Sequence, residues 1–491
     1  MFKLSKRFRS LRSGLSTVAF AAGVAALSLV SAPANADQFR WGDARDLSGL
    51  EPHYEDLFVL GMLANIYEPL AFINAKGELE PRLATAWEQV EPLRWRFTLR
   101  QGVKFHDGDT FDADDVIFSI ERARTPNAVM PLIKPVIDKV ERVDDYTVDI
   151  ITTVVDPILP ATMWAFYVMS KEWAEANNAT VPGSRAAQEE TFATRNTNGT
   201  GPFSLVEWNP GVSVEFAPNA QWWGGPRTDK LTSAKFFTIA EQSTKLSALL
   251  SGEVDLVTNV APNLLDRVEQ AGGVHLITGR QLQTVFLNMD LVKDELQTSN
   301  VKGVNPFKDV RVREAMYLAI DVDAINSRIF RGLAYPSNLM TSPESTGWDA
   351  EQDSRAAVDL DKARALMADA GYPEGFSVTF DCTNGVYLND EQLCAAISIM
   401  LSQIGIKAEV LYTARGPYFT KVQAPTWGSD LHLMGYTFPT FDAITMMDRV
   451  FRSRDTTTGF GALNGAGWSN AEVDKLIEGI SLESNPVARQ A

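Results

Sequence analysis

Four histidines, His53, His106, His275 and His432, are scattered over 491 residues with no H-E-x-x-H or other metal-ligand spacing. No G-x-S-x-G elbow or P-loop occurs, and Gly459-Phe460-Gly461 lacks the third glycine and the preceding strand of a dinucleotide fingerprint. The densest run of carboxylates, His106-Asp107-Gly108-Asp109 with Asp112, Asp114 and Asp115, does not have EF-hand spacing and reads as turn and cap chemistry. Bond-making chemistry thus has little support: no metal, no cofactor, and a secreted hydrolase only as a remote alternative. Recognition chemistry is better represented. Arg415 sits in a glycine- and proline-rich turn, Thr413-Ala414-Arg415-Gly416-Pro417-Tyr418, where a guanidinium can take a ligand carboxylate in a bidentate way; a solvated surface arginine is the alternative.

The elements that position such groups are clearest from Trp95 to Ala123. Trp95, Phe97 and Leu99 alternate with Arg94, Arg96, Thr98 and Arg100, the pattern of a half-buried strand. Gly102, Asp107, Gly108 and Asp109 are turn residues, and Val103 and Phe105 predict a short second strand between them. A helix then starts, with Asp112 as N-cap, Asp115 completing a carboxylate capping box, and Val116, Ile117, Ile120 and Ala123 forming an apolar stripe.

Residues 1–36 read as a secretory leader: Lys3, Lys6, Arg7, Arg9 and Arg12 precede an apolar run that ends in Ala34-Asn35-Ala36, so the mature chain is expected to start at Asp37. Asp37, not a cysteine, stands directly after the cleavage site, which points to a free periplasmic protein and not a lipid-anchored one. The whole chain carries a net charge of −17; removing the leader's five positive charges takes it to −22, too acidic for a nucleic-acid binder and suited to a soluble monomer. The 455 residues left exceed a usual single core, so at least two domains are expected. No further apolar run reaches membrane-spanning length.

The stretch WRFTLRQGVKFHDGDTFDADDVIFS closely resembles the signature of family 5 of the extracellular solute-binding proteins, the oligopeptide-, dipeptide- and nickel-binding receptors of ABC importers. Tyr67-Glu68-Pro69-Leu70 at a helix end, Gly199-Thr200-Gly201-Pro202-Phe203, Asn219 to Pro226 (NAQWWGGP), and Pro306 to Ala315 with Ala319-Ile320-Asp321 resemble further motifs of the same family. The resemblance implies an α/β fold of the periplasmic binding protein type II, cluster C: two lobes, a hinge near 280–290, and an extra subdomain in lobe one. It implies lobe I at 37–70 and 198–283, the extra subdomain at 71–197, lobe II at 284–480, and the start of a return to lobe I at 481–491. Family members continue for about fifty residues beyond a helix start such as Asn485-Pro486, so the sequence is expected to be truncated. Trp222 and Trp223 are expected to fill core or inter-lobe space.

The second lobe alternates: a helix 359–370, a strand 376–382, a helix 390–404 and a strand 406–412, as in helices packed on a sheet. Cys382 and Cys394, the only cysteines, are expected to pair in an oxidising periplasm, with two buried thiols as the alternative. The ligand-reading segment implied by the resemblance is Leu431 to Asp448, with Tyr436, Phe438 and Phe441 lining the pocket and, as the alternative for each, packing as core. Peptide-binding members pair an aspartate of this loop with the peptide's ammonium; here that position is Pro439, and Asp442 is the remaining anchor. The expected role is capture of a di- or oligopeptide and delivery to the permease and ATPase subunits of an ABC importer. A non-peptide organic solute or a metal chelate is the alternative.

Overall fold

The computed structural model describes residues 38–54, 56–130, 133–185, 187, 189–279, 281–343, 345–437, 440–456, 458–485 and 488–489. The expected leader lies outside these residues, as do Phe438 and Pro439. The first strands are β1 (Gln38–Asp43), β2 (Ala71–Ile73), β3 (Leu79–Pro81), β4 (Ala84–Glu91), β5 (Arg94–Leu99), β6 (Ile137–Asp144) and β7 (Thr147–Thr152). They are followed by β8 (Phe203–Asn209), β9 (Ser213–Pro218), β10 (Ser233–Thr238), β11 (Leu256–Val257), β12 (Gln283–Met289), β13 (Phe376–Thr383), β14 (Ile406–Thr413) and β15 (Leu431–Thr437).

The N-terminal sheet runs β11-β1-β10-β9-β8, with β1 parallel to both β10 and β11. Because β10 and β11 flank β1 and run in the same direction, the chain between them must cross over, and the helix Gln242–Leu250 lies in that crossover. Glu241 caps that helix by accepting from Thr244 N at 2.8 Å, and Gly252, at φ +75°, turns the chain into β11. Trp41 on β1 packs 5.8 Å from Phe216 and 5.7 Å from Phe236, joining three strands in one core.

Between β1 and β8 the chain builds a hairpin, β2-β3, and a four-stranded sheet, β4-β5-β7-β6. Phe97 and Leu99 face the core as their alternation requires, while Arg94 and Arg96 converge on the buried Asp149 at 2.9 and 2.8 Å. Asp112 and Asp115 form the capping box of the helix Ala113–Arg124. The second strand expected at Val103–Phe105 does not form. Phe105 N bonds Asp109 O and Gly108 N bonds Phe105 O, so the turn closes after a single bridge, Lys104 to Thr110, and Val103 and Phe105 are buried as plugs. Arg122 of this helix meets Glu51 and His53 in a buried network, with Nη2 to Glu51 Oε2 2.8 Å and Nη1 to His53 Nδ1 2.9 Å. His53 Nε2 lies 3.0 Å from Tyr167 O, so the proton sits on Nε2 and Nδ1 accepts from Arg122; burial first, and then the guanidinium, push the imidazole down to about 4.

The chain leaves the N-terminal sheet at Ile66–Leu70 and returns at Gly199–Phe203, and the two passages touch. The helix expected to end at Leu70 covers only Leu57–Leu63, because the following residues must make this contact. A Cβ on Gly199 would lie 2.1 Å from Ile66 O and one on Gly201 2.6 Å from it, so both glycines are needed for the close approach. Glu68, buried, accepts from Trp223 Nε1 at 2.7 Å, Trp222 Nε1 at 3.2 Å and Thr200 Oγ1 at 2.9 Å. The two indoles are thus pinned to the framework, and burial still keeps this carboxyl above its ordinary range.

The C-terminal sheet runs β12-β15-β13-β14, with β15, β13 and β14 parallel to one another and β12 antiparallel to β15. The helices Val310–Ala319, Leu360–Asp369 and Asp390–Ser402 accompany it, and their apolar faces join Phe376, Val378, Phe380 and Ile406 in one core. A disulfide joins Cys382 on β13 to Cys394 on the helix Asp390–Ser402.

Candidate functional site

Parallel strands whose crossovers leave on opposite sides open a crevice at their carboxyl ends. In the N-terminal sheet that point is Asp43, at the end of β1 between β10 and β11. Burial opposes the charge of Asp43, but the Thr258 hydroxyl, Arg45 N (2.9 Å) and Asn259 Nδ2 (2.8 Å) outweigh it and hold the carboxyl below its ordinary range. The buried Lys245 lies beneath, its Nζ 2.6 Å from Thr258 O. This rim is therefore rigid and largely satisfied.

In the C-terminal sheet β13, β14 and β15 end at Thr383, Thr413 and Thr437, and the loops that follow carry most of the residues expected to read the ligand. Arg415 does not lie in a turn: it opens the helix Arg415–Val422, since Pro417 falls in the first turn, where no amide donor is needed. It is exposed, with its guanidinium 5.6 Å from the Phe419 ring. The sheet's end is closed from below by Tyr387, whose hydroxyl accepts from Gly435 N at 2.8 Å.

The two crevices are bridged. Asn389, in the loop after β13, donates to Ile329 O at 3.1 Å, at the end of the helix Val322–Ile329. Two residues on, Arg331 reaches Asp266 at 2.7 Å and Pro262 O at 3.4 Å, in the segment that follows β11. A chain of contacts thus runs from the loop after β13 through the end of the helix Val322–Ile329 to the segment after β11.

The residues of the 436–448 segment divide in a way that the sequence does not announce. Tyr436 is buried in a cluster with Met446, Val450, Phe286 and Met340, and its hydroxyl donates to Thr445 O at 3.2 Å, so its ring packs as core under the loop. Phe438 is outside the described residues. Phe441, half-buried, lies over Gly77 of the β2–β3 turn so closely that a Cβ there would meet the ring at 2.9 Å, and it links the loop to the inserted subdomain. Asp442 is not an open anion. Arg489 Nη2 lies 2.8 Å from both of its oxygens, and Oδ1 also caps the backbone at Ile444 N, 3.0 Å away. An ion pair spanning 47 residues leaves no signal in spacing, and Arg489 was not among the residues singled out by the sequence.

Two more carboxylates share this neighbourhood. Asp156, which follows β7, and Asp448 are each raised to about 6, first by burial and then by neighbouring carboxylates including Asp442; Arg489 pulls both down. Asp448 also pairs with Arg452 at 3.3 Å. Among the described residues no group of three or more potential ligands could hold a metal ion, and no helix is long and apolar enough to cross a membrane.

This architecture matches known proteins. Residues 78–458 match the family described as bacterial extracellular solute-binding proteins, family 5 Middle. The chain is 26% identical to heme-binding protein A of Haemophilus influenzae over 84% of this chain and 75% of that protein. It is 27% identical to the dipeptide-binding protein of Escherichia coli over 85% of this chain and 78% of that protein. The structure resembles the periplasmic binding protein DppA of Helicobacter pylori in complex with the peptide STSA, with a TM-score of 0.75, 24% identity, and coverage of 92% of this chain and 88% of that one. The fold is the two-lobed α/β fold of type II periplasmic binding proteins. The chain belongs to the bacterial extracellular solute-binding proteins of family 5, the binding components of ABC importers.

Proposed function

We propose that this protein, exported by residues 1–36, captures a small solute in the periplasm and delivers it as a monomer to the permease and ATPase subunits of an ABC importer. Lobe I comprises 37–70 and 198–283 with the subdomain 71–197 inserted, lobe II comprises 284–480, and 481–491 begin a return toward lobe I. The observation that carries this reading is the Arg331–Asp266 pair, which joins the segment after β11 to the helix Val322–Ile329, itself bonded at Ile329 O to Asn389 in the loop after β13. A solute bound there touches both lobes and favours the closed state by its contacts to each. No bond is broken in this role.

A di- or oligopeptide is the leading ligand, with Arg415 free to take its carboxylate. The non-peptide reading, including a metal chelate, is favoured by the pairing of Asp442 with Arg489, which leaves that carboxylate no charge to offer an α-ammonium. The relatives span both classes, since one is named for dipeptide and another for heme. The test is to isolate the protein from a bacterial periplasm without denaturation and weigh it by native mass spectrometry. An adduct of a few hundred daltons whose fragments show amino acids supports the peptide; an adduct without them supports the alternative; no adduct under any growth condition, with the chain folded, contradicts the receptor reading.

A further inference from the structure

The guanidinium of Arg489 does three things at once. Nη1 donates to Ile480 O at 2.8 Å and Glu483 O at 3.2 Å, closing the carboxyl end of the helix Ala471–Leu482, whose last carbonyls have no partner within the helix. Nη2 takes both oxygens of Asp442, and Asp442 Oδ1 in turn accepts from Ile444 N, two residues on, at 3.0 Å. The side chain is only 5% exposed, so the pair sits where water screens it little. One cation thus ties the helix Ala471–Leu482 to the loop 440–446, and that loop is held on its other side by Thr346 N to Phe441 O at 2.9 Å and by the Phe441 ring on Gly77.

Resting on the reading of the strand ends as the ligand cleft, we propose that Arg489 is a positioning and specificity-determining residue: it clamps the loop 440–446 through Asp442 and, by neutralising that carboxylate, denies it to a cationic group of the ligand. With Arg489 in place the loop presents its aromatic and backbone groups and no net charge from Asp442. Without it, Asp442 stands beside Asp448, which pairs with Arg452, and Asp156, and the same loop attracts cations.

The clamp is read without any ligand, by hydrogen exchange of residues 440–446 in the wild type, Arg489→Met, Arg489→Lys and Asp442→Asn. Protection is expected to fall in Arg489→Met and Asp442→Asn and to be largely kept in Arg489→Lys, which retains the charge. Should Arg489→Met fail to fold, Asp442→Asn, which leaves Arg489 to close the helix Ala471–Leu482, carries the test alone. The charge effect is read by calorimetry with L-argininamide, which has an ammonium and a guanidinium and no carboxylate. Arg489→Met is expected to bind it about tenfold more tightly than the wild type, the scale of one charge-assisted hydrogen bond, and Arg489→Lys not to differ from the wild type. Unchanged exchange at 440–446 in Asp442→Asn overturns the clamp, and wild-type argininamide binding that Asp442→Asn abolishes overturns the charge assignment. Because exchange is measured on the empty protein, failure of the receptor reading leaves that arm intact and is recognised separately by the absence of any natural ligand.

Discussion

The guanidinium of Arg331 lies 2.7 Å from the carboxylate of Asp266, joining the end of a helix beside the C-terminal sheet to a helix that follows the last strand of the N-terminal one. Glu269 stands 3.8 Å from the same guanidinium. Both acids are more than half exposed and the arginine is one-third exposed, so the bridge is a weak latch and its loss shifts an equilibrium without unfolding the protein.

Arg331→Ala is expected to lower the closed-to-open ratio of the ligand-free protein by up to about fivefold, since an exposed pair is worth about 0–1 kcal/mol. Small-angle scattering of the empty protein should show a larger radius of gyration in the variant, and raising salt should move the wild type the same way. Identical scattering curves would remove Arg331 as a latch.

Arg122→Met leaves Glu51 buried without its cation, and His53 without the donor to Nδ1. The expected loss is about 3–5 kcal/mol, read from urea unfolding. A loss below about 1 kcal/mol would mean that the network is dispensable.

The raised carboxyls of Asp156 and Asp448 set a slope of stability with pH. Each holds its proton up to about 6 in the folded chain, while an unfolded aspartate releases it near 4. The folded state thus binds more protons in that window, so this contribution to stability is greatest below about 4 and falls as pH rises through about 6. His53, depressed to about 4 by burial and Arg122, acts in the opposite sense: its contribution is present above about 6.5 and is lost as pH falls to about 4. Asp448→Asn should therefore gain stability relative to the wild type as pH rises from 4 to 7. Parallel stability curves for the two proteins would contradict the assignment.

Reducing the disulfide between Cys382 and Cys394, 12 positions apart in sequence, should lower stability by about 3 kcal/mol in the loop-entropy account. A thermal unfolding midpoint unchanged by reductant, with both thiols shown to be free, would refute it.

Local order was legible in the chain because local rules write it. Asp112 and Asp115 are three residues apart and make their box; Trp95, Phe97 and Leu99 alternate and form a strand; the elements from 359 to 413 follow their periodicity to within a few residues. Long-range pairing was not legible. Asp442 looks like a free anchor in a loop until Arg489 folds back on it, Tyr436 looks like a pocket wall until the cluster around Met446 closes over it, and nothing near Phe441 indicates that Gly77 must be bare to receive its ring. The glycine and proline beside Arg415 suggest a turn, yet in a helix's first turn neither is a breaker.

The most direct test of two lobes closing on a solute is to strip the protein of whatever copurifies with it, then titrate that solute back while recording small-angle scattering and the mass of the solute. If the lobes close on the solute, the radius of gyration falls and saturates at one equivalent, with the solute recovered unchanged. A constant radius of gyration at saturating solute, or a solute recovered with an altered mass, would contradict it.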